Sequence, residues 1–279
     1  MTILVTGATG SVGRLLVDEL VAAKAPVRAL TNNPKKAALP AGVEVAKGYL
    51  GKPETLPAAL RDIDTVYLAP LPAYVDDFVT CAQEAGVRRV VVLSGEPAEY
   101  EAQGDPAEWH YYKVERAIEQ AGFAWTHLRP GQFMNNTLDW APSIRAESIV
   151  RAPHPAGVQT PIDLADIAAV AKVVLLDEEE RFTGQKLTMS GPEGLTAPQQ
   201  VEYIAQAIGR ELKFEEQSPE QYMSVWTPFL GAETAQWLLD GFRMMAEHPM
   251  TPEPTVPALT GRPATTYRDW AIANADAFR

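Results

Sequence analysis

The sequence predicts an α/β fold in which a doubly wound parallel sheet is followed by a smaller C-terminal lobe. Three observations predict it. Apolar runs of strand length alternate with helical periodicity through the first half of the chain, the first run opens through glycines into a helix, and the alternation weakens beyond residue 150.

The first run, Ile3 to Val5, ends in a glycine-rich turn, after which Val12, Leu15, Leu16, Leu20 and Ala23 fall on one helical face. Further strands are expected at 27–30, 43–46, 65–68, 89–93 and 125–129, with helices near 54–60, 74–85 and 107–121. Strands joined through helices need right-handed crossovers, so they lie parallel and are covered on both faces. The later chain reads as a helix at 163–176, a strand at 185–189, a helix at 197–209 and an apolar stretch from Trp226 to Met245. A Pro- and Thr-rich segment, 249–266, leads to a last helix, Tyr267 to Phe278. These pieces divide as 1–152, a dinucleotide-binding domain, and 153–279, mostly a substrate-binding lobe from which some elements return to the first domain.

The composition is that of a soluble globular protein of 279 residues, 46% apolar and 22% charged. Lys and Arg number 24 against 36 Asp and Glu, a net charge of −12 that repels a phosphate backbone, so nucleic acid is not an expected partner. The single cysteine, Cys81, makes no internal disulfide, and no His/Cys/Asp/Glu set has metal-ligand spacing, so no metal is expected. The first residues lack a basic leader, and the stretch from Leu164 to Leu176 is interrupted by Asp166 and Lys172; a cytoplasmic protein without a membrane span is expected.

The sharpest signal is TGATGSVG, which places Gly7, Gly10 and Gly13 between a strand and a helix. The first glycine allows the tight turn, the second lets backbone approach a pyrophosphate, and the third lets helix and strand pack closely. Thr9, Ser11 and Val12 complete this Rossmann-like phosphate turn, where the helix N-terminus offers N–H donors. Ligands on such sheets sit beyond the carboxyl ends of the strands, which adds Ala69, Pro70 and Leu71, then Ser94, and then Pro130, Gly131 and Phe133 to the cofactor side. After the second strand the chain reads RALTNNPKK, with no acid for a ribose 2′-hydroxyl. Asn32 and Lys36 are the expected contacts, and NADP(H) is favoured over NAD(H).

The spacing G-x-x-G-x-x-G resembles the extended and atypical short-chain dehydrogenase/reductases. RALTNNPKKAALPAGVEVAKG, VRRVVVLSG, HYYKVERAIEQAGFAWTHLRPGQFMNN, PIDLADIAAVA, GQKLTMSGPEGLT with IGRELKFEE, and LTGRPATTYRDWAIANADAF together resemble the NmrA-like group. That group includes NADPH quinone reductases and triphenylmethane dye reductases. Two positions depart from its pattern: Asn32 stands where the family commonly has an arginine for the 2′-phosphate, and Tyr49 where it commonly has an aspartate near the adenine.

The Tyr-x-x-x-Lys pair of the wider superfamily is absent. No tyrosine has a lysine four residues later, and the nearest imitation is Tyr112 with Arg116. By resemblance the lysine position is Tyr111, and the tyrosine position is Ala107. Three readings of WHYYK stay open: Tyr111, helped by His110, donates to a substrate oxygen; hydride passes to an activated carbon without a strong protein acid; or Trp109, Tyr111 and Tyr112 only pack. Ser94 ends a strand where such reductases place a carbonyl-polarising serine, and Asn135 or Asn136 could bond a substrate.

The aromatic and apolar residues from Trp226 to Met245 suit core or homodimer contact, or the wall of an apolar pocket. The implied activity is NAD(P)H-dependent hydride transfer to a small conjugated carbonyl, quinone or polyketide-like molecule of apolar or aromatic character. Two other classes remain: a non-catalytic NAD(P) sensor, or a non-redox isomerase, epimerase or cyclase on the same scaffold.

Overall fold

A computed structural model describes residues 2–105 and 110–279. Ala107 and Trp109, which entered the reading of WHYYK, lie outside the described residues. In chain order the elements begin β1 (Ile3–Val5), α1 (Ser11–Ala22), β2 (Val27–Thr31), β3 (Glu44–Lys47), α2 (Leu56–Ala59), β4 (Thr65–Leu68), α3 (Val75–Glu84) and β5 (Arg89–Leu93). Then come α4 (Ala98–Glu101), α5 (Tyr111–Gln120), β6 (Ala124–Pro130), α6 (Ala141–Glu147), β7 (Ile149–Ala152), β8 (Val158–Gln159), α7 (Leu164–Leu175) and β9 (Gln185–Met189). The chain closes with β10 (Leu195–Thr196), α8 (Ala197–Ile208), β11 (Lys213–Glu216), α9 (Pro219–Leu230), α10 (Ala232–Glu247), α11 (Thr255–Thr260) and α12 (Tyr267–Ala273).

Two compact units result. The first takes residues up to Gly131 together with Leu164–Met189 and Thr255–Arg262. It holds a seven-stranded sheet ordered β3-β2-β1-β4-β5-β6-β9, in which every pairing is parallel. The order reverses between β1 and β4, and that switch point is where the edges of a doubly wound sheet part to admit a ligand. Val66, Val90 and Val92 turn toward one face, where they meet Leu56, Phe78, Val114 and Ile118 from α2, α3 and α5 and Leu60 just after α2. On α7 nearly every residue is buried, including Ile167, Ala168, Val170 and Ala171, because it packs on both α1 and α11. Strands covered on both faces read as unbroken apolar runs such as Val90–Val92, which is why the sequence exposed them.

The second unit takes Gln132–Asp163, Ser190–Pro254 and Pro263–Arg279. Its two small sheets pair β10 with β8 antiparallel and β11 with β7 parallel. Met134, Ile144, Val150, Ile204, Tyr267, Trp270 and Phe278 form its core, and the Tyr267 hydroxyl donates to Thr137 Oγ1 at 2.8 Å. Capping boxes start α8 at Thr196 with Gln199 and α9 at Ser218 with Gln221. The apolar stretch from Trp226 to Met245 is broken: Gly231, at φ 80°, ends α9 and starts α10. Ala235, Leu239 and Met245 are buried, whereas Phe229 remains 78% exposed and Val225 and Trp237 are exposed as well. The last helix also ends sooner than its pattern, giving way to a 3-10 turn at Ala275–Ala277. Among the described residues no helix is long and apolar enough to cross a membrane.

Candidate active site

The glycine turn lies at the switch point. Gly7 adopts φ 59°, a left-handed conformation that favours glycine, and a Cβ there would meet the Ala69 Cβ at 2.8 Å. The Gly10 N–H donates to the Gly7 carbonyl at 2.8 Å, closing the turn. A Cβ on Gly13 would lie 2.2 Å from that carbonyl oxygen, so α1 can start this close only without a side chain. Thr6 fixes the turn against β4: its hydroxyl donates to the Tyr67 carbonyl at 3.1 Å and accepts from the Ala69 N–H at 2.8 Å. Thr9, Gly10 and Ser11 are exposed at the head of α1, while Val12 is buried beneath them. This backbone cradle, open at the helix N-terminus, fits the pyrophosphate of a dinucleotide.

After β2, the Asn33 N–H donates to Thr31 Oγ1 at 3.2 Å and a 3-10 turn follows at Pro34–Lys36. Asn32 and Lys36 are exposed there. Arg14, which the sequence reading passed over, reaches from α1 into the same segment and donates to the Ala38 carbonyl at 2.6 Å. Tyr49, 43% exposed, lays its ring against Gly51. Ala69, Pro70 and Leu71 follow β4 and are half-buried.

Ser94 is placed differently from a free carbonyl-polarising hydroxyl. Its Oγ donates to Glu115 Oε1 at 2.5 Å, and the Arg129 guanidinium grips the same carboxylate through Nε at 2.9 Å and Nη2 at 2.7 Å. Arg129 Nη1 adds a bond to Glu99 Oε2 at 2.6 Å. Burial pushes the Glu115 carboxyl up, but the bonds from Arg129 and Ser94 outweigh it and hold the group below the usual carboxylate range. A buried charge survives only when paired and bonded in this way.

Around this network α5 and β6 bring Glu115, Glu119 and His127 within 4.8 Å of one another, a cluster that linear spacing could not reveal. Its carboxylates already serve cations, Glu115 through Arg129 and Glu119 through Lys186 at 3.2 Å. His127 is fully buried, stacks on Trp125 at 4.4 Å between ring centroids, and is pulled down to about 4 chiefly by burial. The Glu119 carboxylate 3.3 Å from its Nε2 therefore faces a neutral imidazole at pH 7.

Tyr111 opens α5. Glu101 caps this helix start, its Oε2 accepting from the backbone N–H of His110 at 3.1 Å and of Tyr112 at 2.8 Å. A carboxylate is suited to a helix N-terminus, and the Tyr111 ring lies on Gly95, where an added Cβ would stand 3.0 Å from it. Burial, reinforced by the Glu101 charge, pushes the Tyr111 hydroxyl above its ordinary range, so it stays a proton donor. His110 and Lys113 are exposed. Glu96, immediately beyond Gly95, places Oε2 3.1 Å from where a Gly131 Cβ would be, so Gly131 makes room for this carboxylate. The Gly131 N–H donates to the Met189 carbonyl at 3.0 Å, and Pro130 before it is buried. Phe133 belongs to the second unit, where it forms a backbone bridge with Ile162.

The pattern of the NmrA-like family matches residues 1–260. The chain belongs to the NmrA-like family. Within the family's relatives it is 37% identical over 285 residues to the (4-alkanoyl-5-oxo-2,5-dihydrofuran-3-yl)methyl phosphate reductase of Streptomyces griseus, covering 99% of each chain. It is 33% identical to the NAD(P)H azoreductase of Xenophilus azovorans, again over 99% of each. Among solved structures, the Citrobacter triphenylmethane reductase complexed with NADP(H) superposes with a TM-score of 0.83 at 19% identity, over 98% of this chain and 99% of that one. The NADPH-dependent quinone oxidoreductase of Escherichia coli complexed with NADPH gives 0.83 at 21% identity, over 96% and 98%. These likenesses agree with the Rossmann-like architecture of this NmrA-like chain.

Proposed function

We propose that this protein is an NAD(P)H-dependent reductase that delivers hydride to a small conjugated carbonyl, quinone or polyketide-like molecule. The observation that carries the proposal is the glycine turn: Gly13, which cannot bear a side chain without striking the Gly7 carbonyl, packs the start of α1 tightly against the turn, and Gly10, exposed at the head of that helix, leaves the backbone open to a pyrophosphate. The two relatives above, both reductases matched over nearly their whole length, support the redox reading. NADP(H) is the favoured cofactor, in keeping with the missing acid after β2.

Bound cofactor supplies a hydride from its reduced nicotinamide. The chain's part is to orient and to hold a proton. Hydride addition at the carbon β to a carbonyl leaves an enolate, which needs one proton for net reduction. Tyr111 is assigned as the donor, because burial keeps its hydroxyl protonated, its ring lies on Gly95 and Glu101 caps the helix start. Ser94 acts at one remove by bonding Glu115 and so steadying the ends of β5 and β6. The oxo-dihydrofuran in the name of the Streptomyces griseus relative's substrate is a conjugated lactone, and acceptors of that type head the candidates here. An apolar or aromatic substrate and a homodimer are proposed on the exposed apolar residues of α9 and α10.

The test is spectrophotometric. Purified protein is mixed with NADPH and a panel of acyl-butenolides, quinones and azo dyes, and nicotinamide absorbance is followed with product analysis. Cofactor oxidation matched one-to-one by reduced product supports the proposal; tight NADPH binding without turnover of any acceptor, or turnover without net NADPH loss, overturns it.

A further inference from the structure

The rim of the sheet beyond β2 collects cations in a protein whose net charge is −12. Lys35 and Lys36 lie on the 3-10 turn, Lys47 ends β3 in register with Thr31, and Arg14 projects from the second turn of α1. Arg14 is anchored rather than splayed. Its Nη1 donates to the carbonyls of Ala37 at 3.5 Å and Ala38 at 2.6 Å, and its Nε faces Asp18 at 3.3 Å. Ala38 holds φ 45°, a conformation that costs a non-glycine residue energy, so the bond to its carbonyl pins a strained loop. No hydrogen bond among the described residues engages Nη2, although the guanidinium is a five-donor fork.

We infer that Arg14, with Lys36, forms the site that selects a ribose 2′-phosphomonoester, in place of the arginine missing at Asn32. The inference rests on the dinucleotide reading above and names the residue that gives it NADP(H) specificity. Three features meet here. Thr31, Asn32 and Asn33 offer no carboxylate to bind a 2′-hydroxyl or repel a phosphate. Among the described residues the one acid bonded to the cluster is Asp18, which takes Arg14 Nε and leaves Nη2 for an anion. The strained segment between residues 36 and 38 is held by Arg14 itself, so the cation is in position before a ligand arrives.

Calorimetric titration of the full chain with adenosine 2′,5′-bisphosphate and with 5′-AMP separates the roles, because the two differ only in the 2′-phosphate. The wild type is expected to bind the bisphosphate more tightly. Arg14→Gln should weaken the bisphosphate about ten- to hundredfold, the worth of a charge-assisted bond, and change 5′-AMP less than about twofold. Lys36→Gln should act the same way more weakly, and Arg14→Lys should recover part of the preference. An equal loss for both nucleotides in Arg14→Gln would reduce Arg14 to a loop brace and overturn the inference, as would no loss for either. Those results leave the dinucleotide reading standing; a wild type that binds neither nucleotide removes both.

Discussion

His127 should make this protein acid-sensitive in a pH range where its carboxylates do not. In the folded chain the imidazole is fully buried against Trp125, and burial pulls it from the ordinary 6.5 to about 4, against the opposing pull of Glu115 and Glu119. Above the unfolded value it is neutral in both states and contributes nothing. As the pH falls, the unfolded chain takes up the proton first, so stability declines through the interval between 6.5 and about 4 and then levels off. At pH 5 an unfolded histidine is almost fully charged and the folded one mostly neutral, a difference of about 2 kcal/mol relative to pH 7. Glu115 and Asp177 are held below their ordinary values of 4.5 and 3.8, so the stability they confer is lost only under more acidic conditions. Urea unfolding of the wild type and of His127→Phe at pH 7 and pH 5 measures the term. The wild type should lose about 2 kcal/mol more than the variant; equal losses in the two proteins would refute the reasoning.

Three further outcomes follow from the geometry. Gly13→Ala sets a methyl 2.2 Å from the Gly7 carbonyl oxygen, so the turn must open; calorimetry should register no NADPH binding, with about 1–3 kcal/mol lost in thermal unfolding. Tyr111→Phe should lower kcat about a hundredfold with the NADPH Kd unchanged, and unaltered turnover would take the hydroxyl out of the mechanism. Glu115→Gln leaves Arg129 buried with only Glu99 as a carboxylate partner, and denaturant titration should show a loss of about 3 kcal/mol.

The parallel sheet and its glycine turn were legible in the sequence because their causes are local. A strand buried on both faces must be apolar throughout, as Val90–Val92 are, and a turn that presses α1 onto β1 must place glycine where a Cβ would strike backbone, as at Gly13. Helix ends were less legible: the pattern of 107–121 does not reveal that Glu101, from another helix, caps α5 at Tyr112. The stretch from Trp226 to Met245 likewise concealed a break, since Gly231 ends one helix and begins the next.

What the sequence alone determined is the family, the α/β architecture and the dinucleotide turn, all set by residues adjacent in the chain. What the tertiary structure decided is the meaning of side chains whose partners are distant. Ser94 stands alone at a strand end in the sequence, and only the fold brings Glu115, 21 residues on, to accept the bond from its hydroxyl. Nothing in the sequence around Arg14 shows its bond to the Ala38 carbonyl, 24 positions away. Apolar periodicity records which face of an element is buried, whereas a hydrogen bond depends on where two backbones bring their side chains, and only the folded chain fixes that.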